Sequence, residues 1–281
     1  MRDDAVPDTG PEAVLDAACT AARDEFGDDL LAAYTLGSLA HGGFAPLVSD
    51  VDLALVLGSV DHGTASRVHD VASRVRHRVP GTFAERLSVF WATPKVVRDG
   101  GGDRLPYRLP AVDRLDLLDS GIARLAGADV GAGATRPDRA TLVAEAARFA
   151  VERFDGEWLA GIADPAELLR GGPRPVTKTV LFPVRFLHTL RTGEIGRNEI
   201  AADAYDGPHR PLVEAALRWR TDGLGDRAAV QDLLVTHLAG LYGEFVYAYL
   251  QVLPGDAPQR AGLGALRDAV RVLGQGRRRR V

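Results

Sequence analysis

"LGSLAHGGFAPLVSDVDLALVL", Leu36 to Leu57, decides how this chain is read. It ends one apolar run on a Gly37-Ser38 turn, passes through a glycine-rich loop, and opens a second apolar run on Asp50-Val51-Asp52. The run "DLLAAYTLGS" before it reads as a strand from about Leu30 to Leu36, and "DVDLALVLG" reads as a second strand closed by Gly58. A short helix is expected after Ser38. Alternation along an extended strand sets Asp50 and Asp52 on one face, about 7 Å apart. Packing does not call for two acids there.

Two carboxylates this close repel each other unless a cation lies between them. Hard oxygen ligands at a strand end suit Mg2+, which keeps several waters and takes substrate phosphates as further ligands. Gly37 lets backbone approach a ligand closely. Ser38 adds a hydroxyl and a helix-start N–H, the kind of place where phosphate binds. A metal site and a phosphate cradle one loop apart form the layout that phosphoryl and nucleotidyl transfer require.

Working outward, Pro11 to Phe26 reads as a helix, with Pro11 in the first turn and Val14, Leu15, Ala18 and Ala22 at helical spacing. His62 to Arg78 reads as another, with Val68, Val71 and Val75 on one face. "RLSVFWAT" alternates like a strand. Asp50–Leu57, helix and Leu87–Trp91 therefore form a β-α-β unit with parallel strands, adjacent or nearly so. "RDGGGDRLPYRLP" is a loop; its "DGGGD" lacks the following Lys-Ser/Thr of a P-loop. "DRLDLLDSGIARLAGADVG" is a last strand or a short helix closing the first domain. From "GAGATRPDR" onward the pattern is helical, and Gly193 stops one of these helices. The expected organisation is a loose tail over 1–10, an α/β domain with a mixed sheet over 11–132, an all-α domain over 136–273 and a basic tail over 274–281.

The 281 residues are 46% hydrophobic and 26% charged, with a net charge of −4 and a pI near 6.0. That length suits two domains, and the acidic balance argues against nucleic acid as a partner. Positive charge is almost all arginine; Lys95 and Lys178 are the two lysines. The single cysteine, Cys19, has no partner for an internal disulfide, which makes a reducing, cytoplasmic setting the expectation. No membrane span is expected. Oligomeric state is left open.

At Leu36-Gly37-Ser38 and Asp50-Val51-Asp52-Leu53 the chain resembles the DNA polymerase β-type nucleotidyltransferase superfamily. A second stretch, "KTVLFPVRFLHTLRTGEIGRNEIAADAY" (Lys178 to Tyr205), is similar to the C-terminal helical domain of aminoglycoside adenylyltransferases of the streptomycin/spectinomycin type. The resemblance implies an α/β (α+β) nucleotidyltransferase domain followed by a helical one. It also implies ATP, Mg2+ held by Asp50 and Asp52, β/γ-phosphates held by Gly37 and Ser38, and transfer of AMP to a hydroxyl of a small molecule. Arg185 matches the family's arginine on its helix, a nucleotide-phosphate contact. Thirteen positions later the family has a lysine where this chain has Asn198, and a drug-binding acid of the family falls on Pro175 here, so streptomycin is not expected as the acceptor.

The superfamily also carries a third acid. A parallel strand after Asp50–Leu57 begins near the site, and Glu85 stands just before it, placed for general-base work on a bound hydroxyl. In the resistance enzymes that acid lies inside the strand, where this chain has Leu87 or Ser88. Asp113 and Asp116 are the reserve candidates. Without a third acid in reach, a catalytically weak or inactive nucleotide-binding regulator is the alternative; a nucleotidyltransferase that modifies a protein or tRNA is another. Trp91, Trp158 and Trp219 are read as core residues, and His41 and His188 as loop and helix-face residues without a site role.

Overall fold

The computed structural model describes residues 10–125, 130–154 and 156–278. The chain divides into two compact units, one of residues 1–44 with Ser49–Pro137, the other of Ala45–Val48 with 138–281. Residues 1–9 of the expected N-terminal tail (1–10) and the last three residues lie outside the described part.

In the first unit, α1 (Pro11–Phe26) leads into β1 (Leu30–Leu36), α2 (Gly37–His41) and β2 (Val51–Leu57). Next come α3 (Thr64–Arg78), α4 (Thr82–Glu85), β3 (Leu87–Ala92), α5 (Pro94–Asp99), α6 (Ala111–Ser120) and β4 (Ile122–Leu125). The four strands make one mixed sheet in the order β3-β2-β1-β4. β1 is antiparallel to β2 and β4, whereas β2 and β3 run parallel, Val51 opposite Leu87. The parallel pair is the expected β-α-β unit, and the closing segment holds both a helix and a strand, α6 and β4.

Both faces of the sheet are covered, which is why β2 reads as an almost continuous apolar run. Val51, Leu53, Leu55 and Leu57 pack with α1 and α3 through Val14, Leu15, Val68, Val71 and Val75. Ala54 and Val56 point to the opposite face, into a core with Leu36, Phe90, Val97, Leu109 and Leu117. The period of two therefore sends Asp52, and Asp50 before it, to the face that α6 covers.

α6 is held there by Arg114, which is only 3% exposed. Its Nε donates to the Val97 carbonyl (2.7 Å) and its Nη2 to those of Arg98 and Thr135. A buried guanidinium bonded to three carbonyls avoids the cost of an unsatisfied charge and fixes the helix against the last turn of α5 and the loop at Thr135.

The second unit is helical: α7 (Arg139–Arg153), α8 (Gly156–Ala163), α9 (Pro165–Arg170), α10 (Pro173–Thr192), α11 (Asn198–Asp203), α12 (Arg210–Asp222), α13 (Arg227–Val252) and α14 (Gln259–Arg278). α14 runs on past residue 273, into the stretch read as a basic tail. α10 ends at Gly193 (φ 74°) and is continuous through Pro183. By length and apolar composition α13 falls in the range of a membrane span. Its Leu234, Leu238, Leu241, Tyr242, Phe245, Val246 and Tyr249, however, are all fully buried in the core of the unit. Trp158 donates to the Tyr242 hydroxyl (2.6 Å), which in turn donates to the Thr179 carbonyl (2.8 Å). Trp91 and Trp219 are likewise buried.

His209, at the head of α12, and His237 on α13 point ring to ring, Nδ1 to Nδ1 at 3.3 Å. The His209 ring also lies where Gly240 would carry a Cβ. Burial holds both rings below the usual histidine value; on His209 the neighbouring His237 adds to this, against Glu244 and the Gly240 carbonyl. The folded state therefore binds fewer protons than the unfolded chain, so stability is complete above about pH 6.5 and falls as pH drops below it. Urea midpoints at pH 7.5 and 5.5 should show the loss in the wild type, and His237→Gln should remove part of it. Equal pH dependence in the variant would rule the pair out as a source.

Candidate active site

The site is built on the antiparallel junction of β1 and β2. Leu36, the last residue of β1, pairs with Asp52. The chain then turns at Gly37, whose φ of +64° is a left-handed value that L side chains rarely adopt. A second reason for glycine is contact: a Cβ at position 37 would stand 2.4 Å from Asp52 Oδ2. The Asp52 carboxylate thus lies against the bare Cα of the turn. Gly37, Ser38, Asp50 and Asp52 are all partly buried, and the turn and the acidic strand start are one structural feature.

The Gly37 amide donates to Asp116 Oδ2 at 2.6 Å, across 79 positions of sequence. Asp116 is 7% exposed, and its Oδ1 is buried without a hydrogen-bond partner. The neighbours Leu115 and Leu117 are buried too. An acid between two buried leucines was the available sequence signal; its bond to Gly37 was not legible.

Glu85 is the last residue of α4 and is exposed. The Arg86 carbonyl beside it accepts from the Val51 amide (3.1 Å), so Glu85 stands at the end of the sheet where β2 begins. Ser88 occupies the β3 position opposite Asp52, and alternation gives it the same face. Asp113, the other reserve acid, is half-buried on the first turn of α6. In the second unit, Arg185 Nε donates to the Gly196 carbonyl (2.6 Å), tying α10 to the loop before α11. Gly196 has no room for a Cβ, which would stand 2.3 Å from the Arg185 carbonyl oxygen. Lys178, two turns earlier, is half-buried.

Among the described residues no three His, Cys, Asp or Glu side chains stand together as a ready-made metal cage. A hard divalent ion such as Mg2+ does not need one, since it is commonly held by one or two carboxylates plus substrate phosphates. The donors fit that use: oxygen ligands throughout, one of them a buried carboxylate atom without a partner.

No family model matches the chain, and no curated protein matches it. Among solved structures it is similar to the crystal structure of spectinomycin adenyltransferase AAD(9) from Enterococcus faecialis with ATP and spectinomycin. Identity is 12%, the TM-score is 0.49, and the match covers 92% of this chain and 99% of that one. This likeness is one of fold alone, and no residue role is carried across from it.

Proposed function

We propose that the chain is a Mg2+-dependent nucleotidyltransferase that moves AMP from ATP to a hydroxyl of a small molecule, with aminoglycosides as the first acceptor class to try. The observation that supports it most is the Asp52 carboxylate seated on the bare Cα of Gly37, which joins an acidic strand start to a Gly-Ser turn. In this reading an acceptor oxygen attacks the α-phosphorus, and the bond to pyrophosphate breaks. Asp50 and Asp52 hold Mg2+, which when bound supplies Lewis-acid neutralisation of phosphate charge. The Gly37 amide is committed to Asp116, so Ser38 is the donor of this turn proposed to meet the β/γ-phosphates. Glu85, exposed where β2 begins, is proposed to take the hydroxyl proton, and Arg185 to contact a nucleotide phosphate.

The test is pyrophosphate release from ATP and Mg2+ across a panel of aminoglycosides. Release that depends on one acceptor is expected. Absence of both pyrophosphate release and ATP binding would end this reading. A second reading, a nucleotide-binding regulator without transfer, draws support from Ser88 standing where a β3 acid would face Asp52; it predicts ATP binding with no release for any acceptor.

A further inference from the structure

We propose that Asp116 supplies, from helix α6, the carboxylate that strand β3 lacks, and that its Oδ1 binds the divalent cation together with Asp52. The inference rests on the nucleotidyltransferase reading above. It begins from the period of the strands. Asp52 and Ser88 are register partners on the α6-covered face of the sheet. A serine hydroxyl carries no charge to share a cation with Asp52. On that same face, α6 brings Asp116 to Gly37, the residue on which Asp52 also lies.

The two oxygens of Asp116 have different environments. Oδ2 accepts the Gly37 amide at 2.6 Å, a short, charge-assisted bond that clamps the turn. Oδ1 is buried and accepts nothing. A buried carboxylate oxygen without a partner is costly, and such an atom in a folded protein marks a place where an ion or water belongs. A cation beside Asp52 satisfies it and offsets the repulsion between two acids placed around one glycine. The Arg114 guanidinium two residues earlier is bonded to the carbonyls of Val97, Arg98 and Thr135. Asp116 and Glu85 then have separate parts: the buried acid holds the cation, and the exposed one is left to exchange a proton with the acceptor.

The test is Mn2+ binding by calorimetry to the full chain, with and without a non-hydrolysable ATP analogue. Asp116→Asn keeps an acceptor for the Gly37 amide but removes the charge. It should weaken Mn2+ binding at least about tenfold in the presence of nucleotide, while metal-free nucleotide affinity stays within about twofold. Adding Ser88→Asp to that variant should restore part of the Mn2+ affinity, which a purely structural role for Asp116 would not allow. Wild-type Mn2+ affinity in Asp116→Asn overturns the proposal. Should Asp116→Asn not fold, Asp116→Glu takes its place: altered Mn2+ affinity supports the cation role and unaltered affinity overturns it. Loss of Mn2+ binding in Asp52→Asn but not in Asp116→Asn sinks this inference alone. Failure of the wild type to bind Mn2+ and nucleotide at all sinks the nucleotidyltransferase reading with it.

Discussion

Asp52→Asn and Asp50→Asn should each lower kcat/KM for acceptor-dependent pyrophosphate release by at least about 100-fold, equivalent to roughly 2.7 kcal/mol of transition-state stabilisation. The substitution is nearly isosteric. It removes one negative charge and leaves an oxygen of similar placement, so the turn at Gly37 keeps its neighbour. Thermal midpoints should therefore stay close to that of the wild type, or rise slightly as acid–acid repulsion is relieved. Loss of rate with retained stability separates a cation-holding acid from a structural one. The effect should be smaller for Glu85→Gln, which acts on proton transfer alone, a contribution of about 10²–10⁴-fold when the acid is well matched. Near-wild-type turnover in both aspartate variants would remove the site.

Gly37→Ala should damage both the stability of the first unit and its site. Two costs combine. An L residue at a φ of +64° pays about 1–2 kcal/mol in backbone strain. The new Cβ also meets Asp52 Oδ2 at 2.4 Å, far inside contact distance, and the carboxylate must move. A fall in Tm of roughly 3–8 °C is expected, with activity reduced as far as in Asp52→Asn. Gly42→Ala is the matched control. Gly42 has a φ of +84°, so the backbone strain is similar, but nothing lies within 4 Å of its added Cβ. It should lose the smaller share of stability that backbone strain alone costs and keep its turnover. If Gly42→Ala abolished activity equally, general loosening of the loop, rather than displacement of Asp52, would explain both variants.

Much of this molecule could be read from local pattern. Period-two runs ended by glycine marked β1 and β2, and helical spacing of Val68, Val71 and Val75 marked α3; the intervening helix required β2 and β3 to be parallel. The alternation that exposed the Asp50 and Asp52 pair also set the face on which it lies. Such signals depend only on residues within a turn or a strand of each other, and so they survive in the linear chain.

What only tertiary structure decided is which distant groups meet. Asp113 and Asp116 differ by three positions, and the leucines beside Asp116 mark it as the more buried acid but not what it meets; the structure shows it accepting the Gly37 amide. That outcome depends on how α6 is rotated over the sheet, and Arg114 sets the rotation through carbonyls from residues 97, 98 and 135. The requirement for glycine at 37 has the same origin. Its left-handed turn could be suspected from the sequence, but the approach of Asp52 comes from strand pairing. Local sequence determines which elements form and which face each side chain takes; the contacts that join residue 37 to 52 and 116 arise when packing fixes the strand register and helix rotation together.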